Sequence, residues 1–307
     1  HGIKGRSDGA STKKIVNIAT DAIWPRNLSK PWKFRRGDKR KQIFQTLRTG
    51  LSLTAMPRFS PRIFKDEQIW DLVNYVQTLS PSQKPKTPDT FKVQKIDQPL
   101  PKDPFDPIWK GVDSNFFPLG GQIIQSKKVK YPIVDHVVVK AMHNGKDIAF
   151  YLHWDDPTVD PILKKSTTVN ESPVPPLPAH LQVDEPEDQQ QTEELEPQEF
   201  PDSIAIQFPI SIDGGNGQPY FLNGDSEHPV NLWKWSSHPM KALEMTARGI
   251  DKINVQKEGS QNLTSKANFK YGRYFLIMKR RLTTLDPEID VQLRSGYAIP
   301  IAFNIWN

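Results

Sequence analysis

The hydrophobic period of this 307-residue chain changes once, and the change divides it. Up to about residue 80 the apolar residues recur at helical spacing. Ile43, Phe44 and Leu47 share one face between residues 39 and 49, and Gly50 supplies a stop. Ile69, Leu72, Val73, Val76 and Leu79 form a second buried stripe, with Asp66 and Glu67 placing acids in the first turn of that helix. From Trp109 onward the signals are short strands. Residues 134–141 and 147–154 read as strands joined by an Asn144-Gly145 hairpin turn, and residues 203–208, 273–280 and 299–306 as further strands. Residues 83–107, rich in Pro and Lys, predict a linker. The expected architecture is multidomain: a small all-α domain over 1–82, then an all-β antiparallel sandwich over 108–307. Residues 166–201, with repeated Pro, Glu and Gln and no period, predict a disordered or loosely draped insert in the sandwich.

The all-α part carries motifs. It opens His1-Gly2-Ile3-Lys4-Gly5, continues through Trp24-Pro25-Arg26-Asn27-Leu28 and Trp32-Lys33-Phe34, and later reads Thr54-Ala55-Met56-Pro57-Arg58-Phe59. A His-Gly start, a Met-Pro loop and a closing helix with Tyr75 and Leu79 together resemble a class I cytochrome c. The resemblance implies haem c with His1 and Met56 as axial iron ligands, and Pro25, Leu28, Trp32 and Phe59 packed around the group. Pro57 fixes φ and has no N–H, which stiffens the chain beside the Met sulfur. The chain has no cysteine, so these residues cannot make the thioether attachments of such a haem. His1 stands where the His of Cys-x-x-Cys-His stands, so the expectation is that the two cysteines lie upstream and that both ends are clipped. His1 taken alone reads better as an arbitrary terminal residue; the Met56-Pro57 loop and the closing helix turn the reading toward the cytochrome.

Four stretches of the second half carry another resemblance. They are Phe150-Tyr151-Leu152-His153-Trp154-Asp155-Asp156-Pro157-Thr158, Ser203-Ile204-Ala205-Ile206-Gln207-Phe208-Pro209, Pro219-Tyr220-Phe221-Leu222-Asn223-Gly224-Asp225 running into Trp233-Lys234-Trp235, and the terminal Ile301-Ala302-Phe303-Asn304-Ile305-Trp306-Asn307. Together they resemble the haem-b-binding gamma subunits of ethylbenzene dehydrogenase and its relatives. A cytochrome c fused ahead of such a domain is similar to the gamma subunits of nitrite oxidoreductases. The resemblance implies a haem b held between a Met and a Lys. Asn223 stands at the Met position, and the Lys falls beyond Asn307. Three readings stay open: Asn223 ligates weakly or leaves an open face, another residue such as Met240 or His228 replaces it, or the haem b is absent. Asn223, Gly224 and Trp233 are the residues expected around this group, Gly224 because it permits close backbone approach. The implied partners are a molybdopterin catalytic subunit, an iron–sulfur subunit and a soluble redox partner, in an extracytoplasmic compartment.

Charge and composition exclude other classes. Residues 1–82 carry sixteen Lys and Arg against six Asp and Glu. The run Lys33, Arg35, Arg36, Lys39, Arg40, Lys41 has the composition of a nucleic-acid patch, but electrostatic steering of an acidic redox partner explains it better. No apolar run approaches the ~18–20 residues that span a bilayer. No Ser/His/Asp grouping or His cluster supports catalysis, so no catalytic residue is assigned. Met142, Met245 and Met278 read as core, His143 and His153 as exposed or structural, and Asp213-Gly214-Gly215-Asn216-Gly217 as a flexible turn rather than a phosphate loop. An alternative of another class is a cytochrome fused to a carbohydrate-binding sandwich, with Trp233 and Trp235 stacking on sugars.

Overall fold

The computed structural model describes residues 1–10, 24–81, 84–124, 128–160, 201–211 and 219–307. The expected insert at 166–200 and the glycine-rich 213–217 lie outside the described residues.

In the first eighty residues two α-helices are described, α1 (Arg40–Thr49) and α2 (Asp66–Thr78), with a short 3-10 turn at Pro31–Lys33. Each helix begins with a Gln at its third position folding back to the cap backbone: Gln42 to the Lys39 N–H and Gln68 to the Lys65 N–H. The helices meet through a Phe44–Trp70 stack at 4.4 Å, while Ile43, Ile69 and Val73 are buried. Leu72, expected in the buried stripe, is exposed. It sits one position before Val73, so the helix turns it about 100° away from the packed face.

The rest is mostly antiparallel β structure with the layout of a sandwich. One sheet contains β1 (Gln94–Lys95), β2 (Asn115–Pro118), β3 (His136–His143), β4 (Asp147–Asp155), β9 (Thr264–Phe269) and β10 (Arg273–Arg281). Its order is β1-β3-β4-β10-β9, with β2 also on the β3 edge. The other has the order β11-β5-β6-β7-β8, from β5 (Ser203–Pro209), β6 (Val230–Ser236), β7 (Lys241–Ala247), β8 (Ile253–Val255) and β11 (Ala302–Trp306). Among the described residues, the one departure from antiparallel pairing is β1 with β3. Val137, Val139, Phe150, Leu152, Trp154, Tyr274, Leu276 and Met278 of the first sheet pack against Ile204, Ile206, Phe208, Trp233 and Trp235 of the second. Alternate residues on each strand make this core, as the period of two requires.

The expected linker is not free chain. Leu100, Trp109 and Val112 pack on Met142, Ala149, Tyr151 and Ile277, covering the outer face of the first sheet, and Phe91 and Val93 touch the main core. This explains why β3 and β4 are apolar on both faces. The Pro and Lys content that suggested a linker reports the exposed side of a packed strap.

Charged groups also lie inside. Arg280 Nη1 meets Glu244 Oε1 at 2.8 Å and Asn231 Oδ1 at 3.2 Å, Nη2 donates to the Val291 carbonyl, and the guanidinium lies over the Trp233 ring at 4.8 Å. Both ion-pair side chains are fully buried.

Candidate haem sites

His1 is positioned by its own loop and by the 25–28 segment. The Ser7 N–H donates to the His1 carbonyl at 2.9 Å, Ser7 Oγ donates to the Pro25 carbonyl at 2.6 Å, and the Leu28 N–H donates to the Gly5 carbonyl at 2.6 Å. Gly5 has φ 67°, and a Cβ there would press on Leu28 and Leu79 at 2.9 Å, so glycine is what lets this loop seat on α2. His1 Nδ1 lies 2.8 Å from the Arg26 carbonyl oxygen. A carbonyl can only accept, so Nδ1 carries the proton and Nε2 keeps its lone pair for a metal. The structure thus brings together His1, Pro25 and Leu28 of the expected set.

Met56 and Phe59 sit on a loop anchored to the end of α1. Gly50, with φ 67°, ends the helix, and the chain returns so closely that a Cβ on Gly50 would meet the Met56 carbonyl and the Arg58 nitrogen at 2.9 Å. The Leu51 N–H donates to the Met56 carbonyl at 3.3 Å, and the Phe59 N–H donates to the Leu47 carbonyl at 2.9 Å. Arg48 Nη1 closes the loop on the Phe59 and Phe64 carbonyls. Met56 is half-buried, and the Phe59 ring stands edge-on to Phe64 at 5.5 Å. Trp32 turns its ring edge-on to Phe116 of the sandwich at 6.3 Å. His1 and Met56 have the donor chemistry of an axial pair, with a neutral imidazole and a thioether. With no cysteine among the 307 residues, the covalent attachments are not supplied by them.

The residues expected around haem b are not brought to one place. Asn223 is buried with φ 63°, its N–H donates to Gln207 Oε1 at 2.8 Å, and its carbonyl accepts from the Gly249 N–H at 2.8 Å. Gln207 faces away from the core between inward Ile206 and Phe208, so Asn223 lies over the outer face of the second sheet. Leu232 and Met245 occupy the same cross-strand row as Gln207. Trp233 points the other way, because neighbours on a strand face opposite sides. It is wholly buried against Phe150 and Phe208, with Nε1 donating to Asn231 Oδ1 at 3.0 Å. Trp235 is buried on the same inner face, so neither ring is open to a haem or a sugar. A Cβ on Gly224 would meet the His228 carbonyl at 2.6 Å and Val230 at 3.0 Å. Its glycine serves the chain's own turn, not an approaching macrocycle. His228 stays close by, with Nδ1 on Asp225 at 2.9 Å. Met240 is exposed in the turn after β6, at the end opposite Asn223 and roughly 20 Å away along a seven-residue strand.

Asn223 Oδ1 is buried and has no hydrogen-bond partner among the described residues. Buried acceptors are normally satisfied, so this atom fits a ligand on that face. The next row along the face holds Ala205, Lys234 and Leu243, with Asn304 of β11 beside Ala205. Asn304 Nδ2 donates to the Phe221 carbonyl at 3.4 Å, joining the last strand to the Asn223 turn. Lys234 Nζ lies over the Trp306 ring at 4.7 Å, and its burial lowers its pKa from the ordinary lysine value. These side chains form a largely apolar floor with one orphaned oxygen above it.

Sequence reasoning missed the junction between the two parts. Asp155, at the end of β4, is buried among Arg273 (Nε 2.6 Å), Arg6 (3.7 Å) and Lys30 (3.8 Å), and it accepts from Asn27 Nδ2 at 2.9 Å. Burial alone would raise its pKa, but Arg273 and Lys30 hold the carboxyl below the usual range. Asp135 likewise binds Lys30 at 2.6 Å, together with Lys33 and His136. The doubled Asp155-Asp156 after an apolar strand was the available signal.

Among the described residues no group of three or more His, Cys, Asp or Glu is arranged to hold a metal ion, and no helix is long and apolar enough to cross a membrane. No curated protein matches the chain. Similar solved structures include carbohydrate binding module family 9 from Caldicellulosiruptor kristjanssonii. Its glucose complex is 11% identical with TM-score 0.36, over 70% of this chain and 78% of that one. Its cellotriose complex is 12% identical with TM-score 0.37, over 69% and 74%. Likeness this distant carries no argument about fold or ligand. Family models are more decisive: cytochrome c matches residues 1–80, and ethylbenzene dehydrogenase matches residues 106–262, just over half of the chain. The chain belongs to the ethylbenzene dehydrogenase family and carries a cytochrome c domain ahead of that family's domain.

Proposed function

We propose that this chain is a non-catalytic electron-transfer subunit, with a c-type haem in its first domain and a b-type haem over the outer face of the second sheet. The presence of a cytochrome c and an ethylbenzene dehydrogenase domain in one chain supports a haem electron-transfer role. The observation that carries the reading is His1, whose Nδ1 is committed to the Arg26 carbonyl while Nε2 remains a donor for iron. When bound, a haem supplies a one-electron couple. The protein sets that couple through axial donors, burial and hydrogen bonds. His1 and Met56 would hold the c-type iron, and the Asn223 turn would stand over the b-type group.

The family supports a wider setting: a complex with a molybdopterin catalytic subunit and an iron–sulfur subunit, similar to nitrite oxidoreductase. A soluble redox partner would be steered to the basic first domain, in an extracytoplasmic compartment. The substrate and the direction of electron flow follow from family analogy. The sugar-binding alternative depended on an open Trp233–Trp235 pair, and both rings are core.

Two substitutions test the sites in the full-length, haem-loaded protein. Met56→Ala should remove the sulfur-to-iron charge-transfer band of the oxidised c haem and lower its potential. An unchanged band takes Met56 out of the site. A weak oxygen donor at Asn223 predicts a high-spin or mixed-spin ferric b haem, which Asn223→Met should move toward low spin in electron paramagnetic resonance. A low-spin signal indifferent to Asn223→Met and Asn223→Ala places the ligand elsewhere.

A further inference from the structure

The His1 loop and the sandwich meet at one buried carboxylate. We propose that Asp155 is a positioning residue for the c-haem ligand, acting through Asn27 and Arg26 on His1. The inference rests on the reading of His1 as that ligand.

The chain of contacts is short and each link is fixed. The Arg26 carbonyl receives His1 Nδ1 at 2.8 Å, and the next residue, Asn27, gives its Nδ2 to Asp155 Oδ2 at 2.9 Å. The other end of the Asn27 amide is held too, with Oδ1 accepting from the Ser29 N–H at 2.9 Å and Ser29 Oγ at 2.7 Å. Asp155 cannot drift, because Arg273 on the adjacent strand binds its Oδ1 at 2.6 Å. Arg6, on the His1 loop itself, donates Nη1 to the Tyr271 carbonyl at 3.2 Å and places Nε 3.7 Å from Asp155. The loop lies directly on the β9–β10 turn, where a Cβ on Gly272 would meet Asp8 at 2.9 Å and Arg6 at 3.1 Å.

The acceptor behind a metal-bound imidazole sets its tautomer, ring orientation and basicity. Here that acceptor is a backbone oxygen one residue from a side chain fastened to the other domain. The sandwich therefore tunes the c-haem ligand through the chain. Loosening the Arg26 carbonyl weakens the Nδ1 bond, makes the imidazole a poorer electron donor and favours reduced iron.

The test uses the full-length haem-loaded protein. Asn27→Asp keeps the cap on Ser29 but presents an acceptor to Asp155, breaking the link. The double variant Asn27→Asp/Asp155→Asn restores a donor–acceptor pair with the roles exchanged and the total charge unchanged. The expected result for Asn27→Asp is a rise in the c-haem midpoint potential, up to about a tenfold change in the reduced-to-oxidised ratio, ~59 mV for one electron. The low-spin resonance should broaden, and the double variant should return both readouts toward the parent. An unchanged potential, a fall that reports only the added negative charge, or a rise that the double variant does not reverse overturns the proposal. A protein with no c-type haem to titrate overturns the His1 reading and this inference with it; a normal c haem indifferent to both variants overturns this inference alone.

Discussion

The two parts of the molecule are built on different amounts of core. Between the sheets, Trp154, Trp233, Trp235, Tyr274, Leu152, Leu276 and Met278 are almost fully buried and pack on one another. In the first eighty residues the described helices bury Ile43, Ile69 and Val73, and the aromatic Phe44 and Trp70 stack while half-exposed. Among the described residues the sandwich closes a large apolar core between its sheets, whereas the two helices of the first part meet through few buried side chains. In the proposal above, one haem is enclosed by chain in the first domain and the other is laid on an outer face of the second.

The largest way to break this comparison is Arg280→Ala. It leaves Glu244 charged, buried and unpaired, and should destabilise the sandwich by about 3–5 kcal/mol. Chemical denaturation followed by Trp fluorescence measures it. The account loses its complete core if the sandwich unfolds no more readily than the parent. Next comes Leu100→Ala in the strap over the first sheet, expected to cost about 2–3 kcal/mol because Leu100 is buried against that sheet. A cost below about 0.5 kcal/mol would return the strap to the status of a linker.

Proton linkage sharpens the same contrast. Asp156 is buried near Asp202 with no cation against it among the described salt bridges, and burial, then the Asp202 charge, pushes its pKa up to about 8. A carboxyl whose folded pKa is raised favours the folded state while protonated. Its contribution is full below about pH 4 and is lost as pH rises through about 8. The sandwich melting temperature should therefore fall between pH 6 and pH 9, and Asp156→Asn should flatten that slope. A parent protein equally stable at both pH values contradicts the burial of this charge. Smallest of all is Leu72→Ala on the exposed side of α2, expected within about ±0.5 kcal/mol, while Val73→Ala beside it should be clearly destabilising. Equal effects at the two positions would mean that α2 packs on the other face.

The fold was legible wherever one residue type decides one face. The Asn144-Gly145 turn between two apolar runs marked the β3–β4 hairpin of the first sheet, and the Ile43–Leu47 stripe marked α1. Legibility failed where a polar residue takes an inward position. Glu244 and Arg280 look like solvent-facing charges in sequence, and only their mutual pairing makes them core. Asn27, Lys30 and Asp155 look like three unrelated surface residues until the fold joins them. At the candidate sites, His1, Pro25 and Leu28 were found together because they lie in two short segments with strong local signals. Trp233 was misassigned because a period of two tells which residues share a face but not which face is the core. Leu232, its neighbour, is the one that shares the Asn223 side.

The central claim is one haem of each type, enclosed in the first domain and laid on the second. The most direct measurement is the haem content of the purified full-length protein by pyridine haemochrome before and after acid–acetone extraction. The account predicts one haem that stays with the polypeptide and shows a c-type spectrum, and one that is extracted and shows a b-type spectrum. A protein that retains a single c-type haem and yields no extractable haem would contradict it.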